Sequence, residues 1–187
     1  SRVLSTSHYG LILFSLSFTT YFAILCDYGF GLTGTKAVAT NANQPEQLNR
    51  LVSNITVIKS ALFVFSLILN LIIVFSYGQF REYWFIYAIN IFTLINSIFF
   101  PTWFFQGMER MKYITLVQVA VRSLAVVLIL CIVKHDSDYY LWPVINLLTT
   151  IIGVIIVQYF LFRNFNLRYV KPDWQSIKRE LSEEGSE

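Results

Sequence analysis

An all-α, multi-pass membrane protein is the fold class that the sequence predicts, and three observations carry the prediction. Of the 187 residues, 56% are hydrophobic and only 13% are charged, a balance too apolar for a soluble domain of this size. Five separate apolar stretches are each long enough to cross a bilayer, which takes about 20 helical residues. Lysine and arginine between those stretches are sorted to one side.

The five stretches cover residues 9–26, 55–77, 83–105, 113–133 and 139–162. They are expected to form most of one helical bundle. The first is the shortest, stopped by Asp27 and the glycines of DYGFGLTG, with an extension past Phe30 as the alternative. The second is expected to begin early, because Gln44-Pro45-Glu46 reads as a helix start, with Pro in the first turn and an acid at the positive dipole end. From Pro45 to Ser76 one helix would run about 48 Å, longer than the hydrocarbon is thick. In the third, Pro101 removes a backbone bond near the end, where a membrane helix bends without being destroyed. Trp103, Phe104 and Phe105 follow as an aromatic group expected at headgroup level, and Gly107 is expected as a left-handed cap. Residues 163–187 change character and read as a cytoplasmic connector, with a helix start at Pro172-Asp173.

If the spans alternate, one side receives Lys36, Arg50, Arg110, Lys112, Arg163, Arg168, Lys171, Lys178 and Arg179, and the other only Arg2, Arg81 and Lys134. Nine against three places the C-terminal tail in the cytoplasm and Ser1 outside. A cytoplasmic beginning would then need one more span upstream. SRVLSTSHYG itself reads as a turn between helices, so the chain is expected to be a piece of a longer protein. Cys26 and Cys131 lie in different spans, too far apart to bridge, and read as small core residues.

Helical spacing gives every span one polar side. Lys59, Ser66, Asn70 and Tyr77 share a line in the second span; Asn90, Ser97 and Pro101 in the third; Thr115, Gln118 and Arg122 in the fourth. Asn146, Thr150 and Gly153 align in the fifth, and Ser15, Thr19 and Cys26 in the first. Helix packing is the ordinary reading of such small and amide residues. The cations are different. Arg122 is about 13 Å into the hydrocarbon, near its centre, where an arginine costs at least ~2.5–3.5 kcal/mol and faces a bundle interior or wet cavity. Lys59 is shallower and has the length to snorkel.

The five stretches contain no Asp or Glu; Asp27 and Glu109 are nearest, at the cytoplasmic boundary. An electropositive interior and an anionic, phosphate-bearing cargo follow as expectations. Arg122, Lys59, Gln118, Asn70 and Asn90 are the candidate cavity-lining residues. Asp27, Lys36, Pro101, Trp103 and Gln106 are candidates for the gate or interface.

Catalytic signals are absent. His8 and His135 stand alone in exterior turns, without metal-ligand spacing, and no paired-carboxylate, P-loop or nucleophile-elbow motif occurs. GFGLTGTK lacks the spacing of a phosphate loop. No cofactor, metal or nucleic acid is expected.

Three runs carry a family resemblance: YGLILFSLSFTTYFAILCDYGFGLTGTKAVA, QPEQLNRLVSNITVIKSALF and, most specifically, FFPTWFFQGMERMKYIT. Residues 1–181 resemble the Wzx-type O-antigen flippases of the MOP exporter superfamily. The resemblance implies helices two to six of a plan with about twelve helices in two six-helix bundles. It also implies transport of undecaprenyl-pyrophosphate-linked oligosaccharide across the bacterial inner membrane by alternating access. The partners implied are the lipid bilayer, the lipid-linked oligosaccharide and other polysaccharide-assembly membrane proteins. After KREL the chain departs from the family plan and ends in SEEGSE. These residues alone are expected to be inactive. A polymerase or ligase of the same pathway fits less well, since the exterior loops at 78–82 and 134–138 are short. A drug exporter of the superfamily would want buried acids in this half.

Overall fold

The computed structural model describes residues 4–27 and 30–171. Among them the chain is helical, without strands: α1 (Thr6–Asp27), α2 (Phe30–Thr40), α3 (Pro45–Ser76), α4 (Gly78–Arg81), α5 (Trp84–Phe92), α6 (Ile95–Phe99), α7 (Thr102–Gly107), α8 (Met111–Ile132) and α9 (Leu141–Asn164), with a 3₁₀ turn at Asp136–Tyr140. Five segments are long and apolar enough to cross a membrane: Thr6–Thr40, Pro45–Ser76, Trp84–Gly107, Met111–Ile132 and Asp136–Asn164. The fold is an all-α, multi-pass membrane architecture.

α3 starts at Pro45 and runs 32 residues, so it outreaches the hydrocarbon at about 1.5 Å per residue. α1 and α5 pack on it, and α9 packs on α8, α5 and α6. Close approach of α8 and α9 is possible because Gly153 faces Val121, whose nearest methyl a Cβ would meet at 3.2 Å. The remaining sides of α8 carry exposed Leu116, Val119, Val126, Val127 and Leu130, an apolar surface suited to lipid.

Several expectations are corrected here. The glycines after Asp27 do not end helical structure: Gly31 and Gly34 lie inside α2. Gly34 is there for packing, since a Cβ would stand 3.0 Å from the Trp103 ring. Gly107 is not a left-handed cap but the last residue of α7, where a Cβ would meet the Thr35 carbonyl oxygen and Val38 at 2.7 Å. The left-handed position is Glu109, φ 55°. There the Arg110 and Glu109 N–H groups donate to the carbonyls of Phe105 (2.8 Å) and Gln106 (3.1 Å), the paired closure of a Schellman end.

Trp103, Phe104 and Phe105 face the protein, not a lipid or headgroup surface. They are 4%, 0% and 1% exposed, in the main core with Phe30, Val38, Ile55 and Leu161. Phe104 meets the Phe165 ring edge-on at 5.1 Å. The break before α7 folds the aromatic turn inward, and hydropathy alone does not report that. Cys131 is exposed, whereas Cys26 is buried with its Sγ 3.6 Å from the Ser66 hydroxyl.

The connector also does more than leave the bundle. Leu167 is buried in the core, and the Arg168 and Val170 N–H groups donate to the side chains of Asn49 and Ser53 on α3, both at 2.8 Å. The helix start expected at Pro172-Asp173 lies outside the described residues. At the opposite end, His8 is tied down: its Nδ1 is 2.9 Å from an Asp136 carboxylate oxygen and its ring stacks on Tyr139 at 4.2 Å.

Candidate functional site

The third span is the element that positions the site, and it is broken twice. Around Thr93 and Leu94 the helix tightens into i→i−3 bonds, as Thr93 N–H to the Asn90 carbonyl (3.0 Å) and Leu94 N–H to Ile91 (3.1 Å). At Phe100-Pro101 it stops altogether, and the Thr102 N–H turns back to the Phe100 carbonyl at 2.9 Å. Irregular backbone at membrane depth persists only where protein buries it or where it lines a wet cavity. Both hold here. Pro101 is buried, and Phe100 and Thr102 line a cavity of about 490 Å³.

The cavity draws on five spans. α1 contributes Thr19, Thr20 and Asp27; α3 contributes Lys59; and the broken third span adds Thr93, Asn96 and Ser97. α8 contributes Gln118 and Arg122, and α9 contributes Asn146, Thr149 and Thr150. Among these groups are three charges. Lys59 Nζ, on a side chain 3% exposed, donates to an Asp27 carboxylate oxygen at 2.7 Å and to the Ser97 carbonyl at 3.2 Å. The Ser97 hydroxyl donates to the same Asp27 oxygen at 2.6 Å. Phe30 places its ring 5.8 Å from the ammonium.

Asp27 is therefore no mere boundary residue. It supplies the acid that the apolar stretches lack and answers the charge of Lys59. Arg122 is exposed, lines the cavity and has no hydrogen bond or ion pair among the described residues. The lining thus holds a neutralised pair, one unanswered cation, ten residues with hydroxyl or amide groups, and an apolar remainder that includes Leu16, Leu94 and Phe100.

Of the residues singled out from sequence, Arg122, Lys59, Gln118 and Asp27 come together here. Asn70 and Asn90 do not line the cavity. They are buried in the helix packing, where Asn90 Nδ2 donates to the Ser15 hydroxyl at 2.7 Å and the Asn70 amide has no partner among the described residues. Lys36 and Gln106 are exposed on α2 and α7, away from the cavity wall. Trp103 is core and reaches the site only through its neighbours.

Sequence reasoning missed Gln158. Its Nε2 donates to the Phe99 carbonyl at 2.6 Å, and the Tyr169 hydroxyl donates to its Oε1 at 3.1 Å. Burial pushes the Tyr169 phenol up, partly offset by its contacts with Gln158 and Thr56, so it stays protonated and able to donate. A single amide in the run IIVQYF was the available signal.

Comparison with known proteins agrees with this architecture. A family model described as "Polysaccharide biosynthesis protein" matches residues 1–185. The chain is 26% identical over 160 residues to the "Putative O-antigen transporter" of Escherichia coli (strain K12), a match covering 83% of this chain and 39% of that protein. It is 28% identical over 158 residues to the "Putative O-antigen transporter" of Shigella dysenteriae, covering 83% and 38%. No solved structure matches. The chain spans about two fifths of the length of these relatives. Matched along nearly all its residues, the chain belongs to the polysaccharide biosynthesis protein family.

Proposed function

We propose that these spans form part of a flippase that carries a lipid-linked oligosaccharide across the bacterial inner membrane, with the C-terminal end in the cytoplasm. The observation that carries this reading is the cavity lining: ten residues bearing hydroxyls or amides, one neutralised ion pair, and one unanswered guanidinium at Arg122. Sugars offer many neutral donors and acceptors, which Thr20, Asn96, Asn146 and Thr150 can meet. A pyrophosphate or acidic sugar offers oxygens that a guanidinium binds in pairs. Gln118 lies one turn from Arg122 on α8 and adds an amide beside it.

Lys59 is a poorer anion site, because Asp27 already answers its charge. The process is movement, not a covalent step: binding and release from opposite sides as the whole transporter alternates. Other polysaccharide-assembly membrane proteins are natural partners at either face.

Replacement of Arg122 in the full-length gene is the test. Arg122→Ala is expected to abolish most surface O-antigen, with Arg122→Lys keeping a part of it, since a point charge replaces a planar fork. Normal surface O-antigen in both variants, at ordinary expression, removes Arg122 from the mechanism.

A further inference from the structure

We propose that the break at Pro101 is a working hinge of the transport cycle and that Lys59 is its pin, a positioning residue and not an anion-binding one; this rests on the transport reading above. In an unbroken helix the N–H of residue 101 would donate to the carbonyl of Ser97. Proline has no N–H, and that same carbonyl receives Lys59 Nζ at 3.2 Å. The ammonium replaces the missing peptide donor. Asp27 aims it, at 2.7 Å, and also holds the Ser97 hydroxyl at 2.6 Å, so Ser97 is gripped by backbone and side chain together. On the other flank Gln158 Nε2 serves the Phe99 carbonyl at 2.6 Å, held in turn by Tyr169 from the connector.

Carbonyls capped by side chains differ from carbonyls capped by peptide groups. A side chain can release or follow its acceptor by changing rotamer, whereas a peptide N–H leaves only when the helix unwinds. The break therefore tolerates a change of angle without stranding a polar group in hydrocarbon. What swings is also defined. α7 is locked to α2, with Gly34 against the Trp103 ring and Gly107 against the Thr35 carbonyl and Val38. α2 and α7 thus move as one body against α5 and α6. Phe100 and Thr102, on the two sides of Pro101, are cavity wall, so any swing reshapes the site.

The pin and the hinge are tested together in the purified full-length protein and in cells. Lys59→Met is expected to lower the melting temperature by about 5 °C, and Lys59→Gln by less, because its amide can still donate to Ser97. Pro101→Ala supplies the missing N–H. In the Lys59→Met/Pro101→Ala double variant most of the lost stability should return. Where Lys59→Met does not fold, Lys59→Gln with and without Pro101→Ala carries the same comparison. Failure of Pro101→Ala to restore any stability overturns Lys59 as the pin.

Pro101→Ala alone, folded and normally expressed, should lose most of its surface O-antigen. Undiminished O-antigen overturns the hinge. A wild-type full-length protein that cannot restore O-antigen to a flippase-null strain counts against the transport reading instead, and leaves the melting comparison to judge the pin.

Discussion

At Arg122 and Lys59 two cations stand in apolar helices, and their neighbours give them different work. Lys59 is 3% exposed and saturated by Asp27 and Ser97, so its removal is a question of local structure. Arg122 is met by no acid among the described residues, so its removal is a question of what enters the cavity. The same attention to neighbours separates the glycines. A methyl at Gly107 would lie 2.7 Å from the Thr35 carbonyl oxygen and from Val38, while at Gly31 nothing lies within 4 Å. Gly107→Ala should therefore destabilise the full-length protein by about 1–3 kcal/mol through forced separation of α2 and α7. Gly31→Ala should be neutral or stabilising by roughly 0.4–1 kcal/mol, since helical alanine is favoured over glycine. Thermal melts in detergent compare them; equal losses at both sites would contradict the packing described for α7.

Elements were legible from sequence to different depths. The long helix from Pro45, the five apolar spans and the polar stripes all follow from periodicity and first-turn chemistry. The course of the third span does not. Pro101 announced a bend, but nothing local says that the bend turns Trp103, Phe104 and Phe105 into the core. A WFF run has the same pattern at a membrane interface as in a bundle. Asp27 is named from sequence as a gate or interface candidate, but its pairing with Lys59 is not legible there, because an acid followed by glycines looks like a turn and α2 resumes at Phe30.

The connector's sequence carries no sign of docking, yet Asn49 and Ser53 hold it to α3. Asn49→Ala with Ser53→Ala should free that strap. Faster hydrogen exchange at Arg168 and Val170, with α3 otherwise unchanged, is the expected signature, and unchanged protection would count against the docking.

For the whole molecule, composition and the apolar runs reached the membrane architecture, and the family match places the chain among polysaccharide biosynthesis proteins. The site was half legible. Arg122, Gln118 and Lys59 could be named from polarity inside apolar runs, since a cation there has to face something polar. Asn70 and Asn90 carried the same signal but serve packing, because a helical stripe shows which residues share a face and not what the face meets. Gln158, and the pairing of Asp27 with Lys59, depend on distances between spans, which one-dimensional spacing does not contain.

The central claim is that the cavity between the spans receives the glycan. Its most direct test is a cysteine at Thr150, on α9 in the cavity wall, placed in the full-length protein with Cys26 and Cys131 replaced. Water-soluble maleimide should label it in membranes, and lipid-linked oligosaccharide from producing cells should protect it. A cysteine at exposed Leu116 on α8 should show no such protection. Labelling at Thr150→Cys that is undiminished by the oligosaccharide would contradict the account.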